Sequence, residues 1–191
     1  ICDGSSGECK SECKSGSTCT VRCREAPCDL KCKEGATCQF ICNNDNANET
    51  CETTCEATPT QVGQTPCNVT CTGSGSCTAE CKADAACGVD CANQGACDAT
   101  CKSNAKRCEF NCKDANTKGT CNPVCENAGS DNTCTVNCDY TNLGDSAVCS
   151  TSCEHGNSCE ATSGYCQIGR CSGERESNSD NDVCTLTCSS D

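Results

Sequence analysis

The chain has very few large side chains from which a hydrophobic core could be built. Its 191 residues include no tryptophan and no methionine, and only two phenylalanines and two tyrosines. Most of the 35% hydrophobic fraction is cysteine and alanine. Such limited apolar burial does not offset the conformational entropy lost when a chain of this length is ordered. The composition therefore excludes an ordinary hydrophobic core and predicts a fold held together by cross-links or by metal.

Other shortages exclude whole classes of function. Lysine and arginine total 14 against 27 acidic residues, and the net charge of −13 argues against nucleic acid or an anionic membrane as a partner. No apolar run approaches the length of a membrane span. The one histidine, His155, lies in no Ser/His/Asp or Cys/His arrangement. We therefore predict that the protein is not an enzyme, with no catalytic residue and no cofactor.

Cysteine is the residue that the chain has in excess. Thirty-two cysteines allow sixteen disulfides, which indicates an oxidising compartment and a secreted, extracellular or cell-surface protein. The chain begins at Ile1-Cys2, inside the cysteine pattern, as expected of a mature chain whose leader has been removed. The dense Cys-x-Cys steps of thiolate stores and the Cys-x2-Cys knuckle of zinc sites do not occur. We predict no metal site among the cysteines.

The cysteines form a repeat that is most regular in residues 67–112. Cys-x3-Cys units alternate there with spacers of five residues, and the period is ten until the last spacer gains one residue. Fourteen such units occur along the chain, separated by spacers of four to twelve residues. This pattern predicts a single elongated repeat domain over 1–191. Its parts are repeats in 1–42, long loops in 43–66, regular repeats in 67–112, repeats with longer loops in 113–153, and degenerate repeats with a final strand in 154–191.

Each unit has the alternation of a short β-strand with one buried face. The cysteines and the central residue, such as Val21, Phe40 or Val69, would point inward, and the residues between them are mostly polar. Gly16 and Gly35 occupy the same phase of two spacers, which predicts turn residues with positive φ. Pro123 at the centre of one unit predicts an edge strand or an irregular rung there.

Short strands at a period of about ten residues, separated by glycine turns, predict an all-β, short-coil β-solenoid without helices of note. Each coil would be one narrow loop filled by two half-cystines and one central side chain. The repeat architecture resembles the disulfide-braced β-solenoids of the beetle and midge antifreeze proteins, although the Cys-x3-Cys-x5 motif matches neither of their repeats. An elongated antiparallel meander, with each spacer as a hairpin loop, is the alternative fold.

Strand geometry favours one scheme of disulfide pairing but does not prove it. The two cysteines of one unit would be ~13 Å apart on a straight strand, too far to bridge. The predicted scheme joins the second cysteine of one unit to the first of the next, from Cys2–Cys9 to Cys166–Cys171, and leaves Cys184–Cys188 as an exception. In the most regular stretches it gives the pairs Cys13–Cys19, Cys71–Cys77, Cys81–Cys87, Cys91–Cys97 and Cys101–Cys108. Both folds accept this scheme.

These features predict a secreted, non-enzymatic structural protein whose copies stack end to end into an extracellular filament or wall layer, because uncapped strand edges pair with further copies. Two alternatives are an ice-binding solenoid and a stalk or adhesin segment that presents its loops at 56–66, 113–120, 139–148 and 172–183 to a partner. Ice binding requires a regular threonine array, but charged residues interrupt the outward threonines. These threonines are Thr20, Thr54, Thr70, Thr78, Thr100, Thr135, Thr185 and Thr187.

Two kinds of modification or ligand site are also suggested by the sequence. Asn48 and Asn68 head N-x-T sequons and are candidate N-glycosylation sites, of which Asn48, in a longer spacer, is the better candidate. The Asx-rich runs at 43–47 and 177–182 are candidate calcium loops, although neither matches an EF-hand. Ordinary Asx turns are the favoured interpretation of these two runs.

Overall fold

The structure covers most of the repeat. A computed structural model describes residues 2–3, 7–44, 48–61, 63–92, 96–102, 104–113, 120–126, 133–139, 148–149, 152–154, 158–163, 170–172 and 184–188. Side chains are described within 7–43, 48–61, 63–92, 96–102, 104–112, 121–126 and 134–137. These residues contain no helix, so none of them forms a helix that could span a membrane.

Each Cys-x3-Cys unit up to Cys138 is a β-strand or lies within a longer one. The strands are β1 (Cys2–Asp3), β2 (Cys9–Cys13), β3 (Thr18–Arg24), β4 (Cys28–Cys32), β5 (Thr37–Asn44), β6 (Thr50–Cys55), β7 (Cys67–Gly73), β8 (Ser76–Cys81), β9 (Ala86–Ala92), β10 (Ala96–Cys101), β11 (Arg107–Lys113), β12 (Thr120–Cys125), β13 (Thr133–Asp139), β14 (Val148–Cys149), β15 (Ser152–Glu154), β16 (Ser158–Ser163), β17 (Arg170–Ser172) and β18 (Cys184–Cys188).

The alternation within the units is confirmed by the burial of their side chains. In β4, Cys28, Leu30 and Cys32 are buried, whereas Asp29 and Lys31 between them are half-buried. β8 and β10 show the same alternation. The inward face of each strand is therefore made of two half-cystines and one central residue.

The strands form two parallel sheets of nine strands each. Sheet 1 has the order β1-β3-β5-β7-β9-β11-β13-β16-β18, and sheet 2 runs β17-β15-β12-β10-β8-β6-β4-β2, with β14 also paired to β12. Alternate units thus stack on each other in register, for example Cys19 on Cys38 and Cys67 on Cys87. The predicted all-β solenoid is confirmed. The antiparallel meander is wrong, because every strand pair that the structure describes is parallel.

One coil contains two Cys-x3-Cys units, one in each sheet, so the prediction of one unit in each coil is wrong. Cys67 lies beside Cys87, twenty residues on, and the unit between them, β8, belongs to the opposite sheet. The physical reason is that a five-residue strand advances ~16 Å, so the chain has to return before it can pair in parallel with its own next turn. The second unit is that return path.

The narrow interior is filled by a bulky column facing a small one. The buried centres of sheet 1 are large or branched: Phe40, Val69, Val89, Phe110 and Val136. Apart from Leu30, those of sheet 2 are smaller: Thr53, Ala79, Ala99 and Pro123. Together with the half-cystines, these side chains form the buried interior of the solenoid. This division between the sheets is not evident until the units are assigned to them.

Pro123 lies in a strand that is paired on both sides, so the expectation of an edge strand is wrong. β12 pairs with β10 along its whole length and with β14 and β15 on the other side. The described pairing on that side joins Thr120 and Cys121 to β14, and Val124 and Cys125 to β15. Residues 150 and 151 lie outside the described residues, so the other expectation, an irregular rung at Pro123, stays a prediction.

Candidate functional surfaces

The corners that lead from sheet 2 to sheet 1 are built from one repeated turn. We call this the first corner. In four of its coils the carbonyl of Lys14, Lys33, Lys82 or Lys102 accepts the N–H three residues on, at 3.0–3.1 Å. The third turn residue has positive φ: 76° at Gly16, 73° at Gly35, 62° at Asp84 and 66° at Asn104. This is the pattern of a type II turn, which favours glycine or asparagine at that place. The prediction for Gly16 and Gly35 is confirmed.

The turns stack on one another as the strands do. The N–H of Gly16 donates to the carbonyl of Gly35 at 3.0 Å, and the N–H of Asp84 donates to the carbonyl of Asn104 at 2.9 Å. A column of alanines fills the inner side of this corner, all at most 2% exposed: Ala36, Ala57, Ala85 and Ala105. Sequence analysis did not single out this column. Its signal in the sequence is the alanine that follows the turn residue in three spacers, at Ala36, Ala85 and Ala105.

Eleven disulfides close the corners among the residues whose side chains are described. At the first corner they join Cys13–Cys19, Cys32–Cys38, Cys55–Cys67, Cys81–Cys87, Cys101–Cys108 and Cys125–Cys134. At the second corner, from sheet 1 to sheet 2, they join Cys23–Cys28, Cys42–Cys51, Cys71–Cys77, Cys91–Cys97 and Cys112–Cys121. Each joins the second cysteine of one unit to the first of the next, as in the sequence-based scheme. The pairs beyond Cys134 lie outside the described side chains.

The sulfurs also approach one another between coils. Three groups of three Sγ atoms lie within 4.8 Å of one another: Cys9, Cys23 and Cys28; Cys55, Cys67 and Cys87; and Cys91, Cys97 and Cys121. In each group two sulfurs form one bridge, and the third belongs to a different bridge. A disulfide sulfur is not a thiolate, and thiolate is the form that binds metal. These groups are therefore contacts between stacked bridges.

The outward face of sheet 1 carries a ladder of side-chain amides. Nδ2 of Asn111 donates to Oδ1 of Asp90 at 2.8 Å, and Nδ2 of Asn137 donates to Oδ1 of Asn111 at 2.8 Å. The three residues occupy one position of successive coils. On sheet 2, Asn122 donates in the same way to Asp98 at 2.9 Å. In-register stacking brings like positions together, and the amide group can both donate and accept.

Charged side chains lie just after the C-terminal ends of the sheet 2 strands. Nζ of Lys33 lies 3.0 Å from Glu56, and Nζ of Lys102 lies 2.6 Å from Glu126 and 3.8 Å from Glu80. The hydrogen bond that Lys33 donates to Glu56, together with the negative charge of Glu56, raises the pKa of Lys33 above the ordinary lysine value. All of these side chains are partly exposed, so each pair contributes little to stability. They offset part of the acidity of this face.

The six predicted outward threonines whose side chains the structure describes do not form an array. Thr20, Thr70 and Thr135 lie on sheet 1, and Thr54, Thr78 and Thr100 lie on sheet 2. No two of these six are register neighbours: Thr70 lies between Ile41 and Asp90, and Thr78 lies between Glu52 and Asp98. The structure gives Thr185 and Thr187 a place in β18 by backbone register only.

The two sequons lie in different surroundings. Asn48 is exposed in a turn before β6, whereas Asn68 is exposed on the outward face of β7. Nδ2 of Asn68 donates to the carbonyl of Thr65 at 3.0 Å. A Cβ added at Gly88 would lie 2.8 Å from Oδ1 of Asn68. Glycosylation at either asparagine stays a prediction.

Several other predicted features fall wholly or mostly outside the described residues. His155 and the Asx-rich run at 177–182 are outside them, as are 45–47 of the run at 43–47. Of the four loops that the adhesin alternative uses, only 56–66 is described nearly in full.

Among the described residues, the first coil of the two sheets has an open strand edge. β2 is the last strand of sheet 2 and pairs only with β4, and β3 pairs with β1 only at Cys23 and Arg24. Cys9, Cys19 and Val21 are half-buried there. Their counterparts one coil further on, Cys28, Cys38 and Phe40, are 3% exposed or less. We call Cys9–Cys13 of β2 with 18–22 of β3 the β2–β3 edge.

The backbone of this edge has groups directed away from the sheet. The N–H of Cys9 donates toward β4, to the carbonyl of Pro27 at 2.8 Å. Because N–H directions alternate along a strand, Lys10 and Glu12 direct their backbone groups to the opposite side. Among the described residues, no strand lies on that side of β2.

Comparison with protein-family models, with curated proteins and with solved structures finds no match. The class of the protein therefore follows from its own architecture. It is a disulfide-braced β-solenoid, of a kind that fits an extracellular structural or ice-binding role. The number of disulfides indicates an oxidising environment.

Proposed function

We propose that this is a secreted structural protein whose copies stack end to end through their strand edges. The observation that carries the proposal is the β2–β3 edge, where two adjoining strands with the Cys-x3-Cys register present outward-directed backbone groups and half-buried apolar side chains. An unpaired edge is a template for a further strand. A second copy offers a Cys-x3-Cys strand at β18 and the shorter strand β17 (Arg170–Ser172), which lie at the opposite ends of the two described sheets.

The chemistry of the chain supports a role in durable material. The described core is covalently closed at every corner from Cys13 to Cys134, and no described cysteine is free. Several of the described outward side chains form hydrogen bonds or ion pairs between coils. The sequence contains no catalytic constellation that favours an enzymatic alternative, so we propose a non-enzymatic function.

The experiment that tests the proposal is sedimentation over a concentration series together with electron microscopy. The matched variants are Glu12→Pro and Glu12→Ala. Proline at position 12 removes an N–H that points to the open side of β2, and edge strands tolerate proline there. We expect the wild type and Glu12→Ala to form filaments, and Glu12→Pro to remain monomeric with an unchanged circular dichroism spectrum. A wild-type protein that stays monomeric at high concentration, without fibres, contradicts the proposal.

Ice binding is the alternative that the same solenoid class suggests. We place it second because none of the six described outward threonines has a threonine as its register neighbour. Charged residues also share their columns, for example Glu80 beside Thr54 and Asp90 beside Thr70. Thermal hysteresis measured on the monomeric Glu12→Pro variant separates the two functions, since stacking is blocked there while the sheet faces are kept. Hysteresis without filaments would favour ice binding.

A further inference from the structure

The disulfides of each corner form a stack that runs along the solenoid. Two of the three close sulfur groups join neighbouring bridges within the described coils. Cys87 lies within 4.8 Å of both sulfurs of the Cys55–Cys67 bridge, and Cys121 lies within 4.8 Å of both sulfurs of Cys91–Cys97. The bridges are therefore close enough for a sulfur of one to meet its neighbour.

Sheet register makes a bond between these sulfurs geometrically reasonable. Cys67 and Cys87 are directly paired on sheet 1, and Cys97 and Cys121 are directly paired on sheet 2. Adjacent strands lie ~4.8 Å apart, which falls within the Cα separation of about 4.4–6.8 Å that a disulfide accepts. A bridge between coils can then replace a bridge across a corner with little backbone movement.

We propose that the close sulfur groups are sites of thiol–disulfide exchange between coils, in which a thiolate on one coil opens the corner bridge of an adjacent coil. At the first corner, the thiolate of Cys87 attacks Sγ of Cys67. The Cys67–Cys87 bond forms, the Cys55–Cys67 bond breaks, and Cys55 leaves as the thiolate with the electron pair. One thiolate enters and one leaves, so the step needs no oxidant or reductant. Cys121 and the Cys91–Cys97 bridge form the equivalent pair at the second corner.

One of the three close sulfur groups lies at the β2–β3 edge. Cys9 and Cys19 are half-buried, whereas the inner half-cystines are buried. A small-molecule thiol that attacks an edge bridge forms a mixed disulfide with one cysteine and releases the other as a thiolate. The third sulfur group lies there, with Cys9 in register beside Cys28 of the Cys23–Cys28 bridge. This proposal does not depend on end-to-end stacking.

The test compares two variants that each leave one unpaired thiol at the first corner. Cys81→Ser leaves Cys87 beside the Cys55–Cys67 bridge. Cys32→Ser leaves Cys38, whose sulfur belongs to no close group among the described residues. Both variants remove a bridge of sequence separation 6. Each protein is incubated at neutral and at mildly alkaline pH, alkylated, digested without reduction and mapped.

In Cys81→Ser we expect part of the Cys55–Cys67 peptide to be lost, with Cys67–Cys87 and alkylated Cys55 in its place. The conversion is faster at the higher pH, because the attacking species is the thiolate. In Cys32→Ser we expect Cys38 to be alkylated and the neighbouring bridges to be intact. Alkylation of Cys87 alone in Cys81→Ser, or equal rearrangement in both variants, overturns the proposal.

A measurement on the unmutated chain covers the case in which a variant does not fold. The protein is treated briefly with dithiothreitol, quenched by alkylation and mapped. We expect the Cys9–Cys28 peptide of the edge group to appear first, and the Cys67–Cys87 and Cys97–Cys121 peptides to follow with longer treatment. Recovery of only the original pairs and fully alkylated cysteines would refute exchange between coils.

Discussion

Asn111 donates a hydrogen bond from Nδ2 to Oδ1 of Asp90 at 2.8 Å, across two adjacent coils of sheet 1. The two residues are 21 positions apart in sequence and occupy the same outward position of their strands. Asn137 continues the ladder in the next coil. The surface of the solenoid is thus organised by the same in-register stacking that organises its disulfides.

Asn111 is the central member of that ladder, so its side chain should matter more than those of its outward neighbours. Asn111→Ala removes two hydrogen bonds, and we expect the free energy of unfolding to fall by about 1–2 kcal/mol. Denaturant unfolding under non-reducing conditions measures it. Asn111→Asp should destabilise more at neutral than at acidic pH, because it faces the Asp90 carboxylate. Thr20→Ala, on the same sheet face, is the control, and an equal loss there would contradict the ladder's contribution.

Gly16 and Gly35 separate backbone strain from side-chain crowding. Both have positive φ, but a Cβ at Gly16 meets nothing within 4 Å, whereas one at Gly35 would lie 2.9 Å from Oγ of Ser15. The Ser15 hydroxyl can rotate away, so we expect Gly16→Ala and Gly35→Ala to cost similar amounts, about 1–2 kcal/mol each. Denaturant midpoints compare them with Glu34→Ala in the same turn as Gly35. A loss confined to Gly35→Ala would show that crowding, and not backbone conformation, sets the cost.

Substitution of Phe40 tests whether burial of the central side chains stabilises the fold in addition to the disulfides. Phe40 is 1% exposed on sheet 1, and its neighbour Ile41 points outward and is only half-buried. Phe40→Ala should lower the free energy of unfolding by about 3–5 kcal/mol through lost burial and the cavity that it leaves. Ile41→Ala should lower it by about 1 kcal/mol. Unfolding in guanidinium with the disulfides intact measures both, and equal losses would mean that the disulfides alone hold the coils.

The ion pair of Lys33 with Glu56 should make the free energy of unfolding decrease at alkaline pH. The pKa of Lys33 is raised in the folded protein, first by the hydrogen bond that it donates to Glu56 and then by the negative charge of Glu56. A raised pKa means that the contribution is fully present below the unfolded-state pKa and is lost as pH rises through the folded-state value. We expect the difference in stability between wild type and Lys33→Gln to shrink over that range and to shrink with added salt. Lys10→Gln is the control, and a difference that stays constant with pH would contradict the assignment.

The local features of the fold were predictable because they depend on neighbours in sequence. The separation of Cys13 from Cys19 matches one corner, and the alternation from Cys28 to Cys32 fixes which side chains of a strand face inward. Gly16 and Gly35 marked their turns because few other residues adopt positive φ. Asp84 and Asn104 occupy the same turn place, but without glycine their spacers carried a weaker signal.

The tertiary structure alone decided which units lie beside one another. Cysteine spacing is compatible with consecutive units paired antiparallel or with alternate units stacked in parallel, because the corner bridges fit both. In the structure Cys67 stacks on Cys87, so alternate units are stacked in parallel and each coil is two units long. This stacking also created the Asp90–Asn111–Asn137 ladder, the alanine column and the sulfur contact between Cys87 and Cys55–Cys67. The sequence by itself therefore determined the strands, turns and inward faces, which are local, whereas register between residues about twenty positions apart depends on packing that only the folded solenoid supplies.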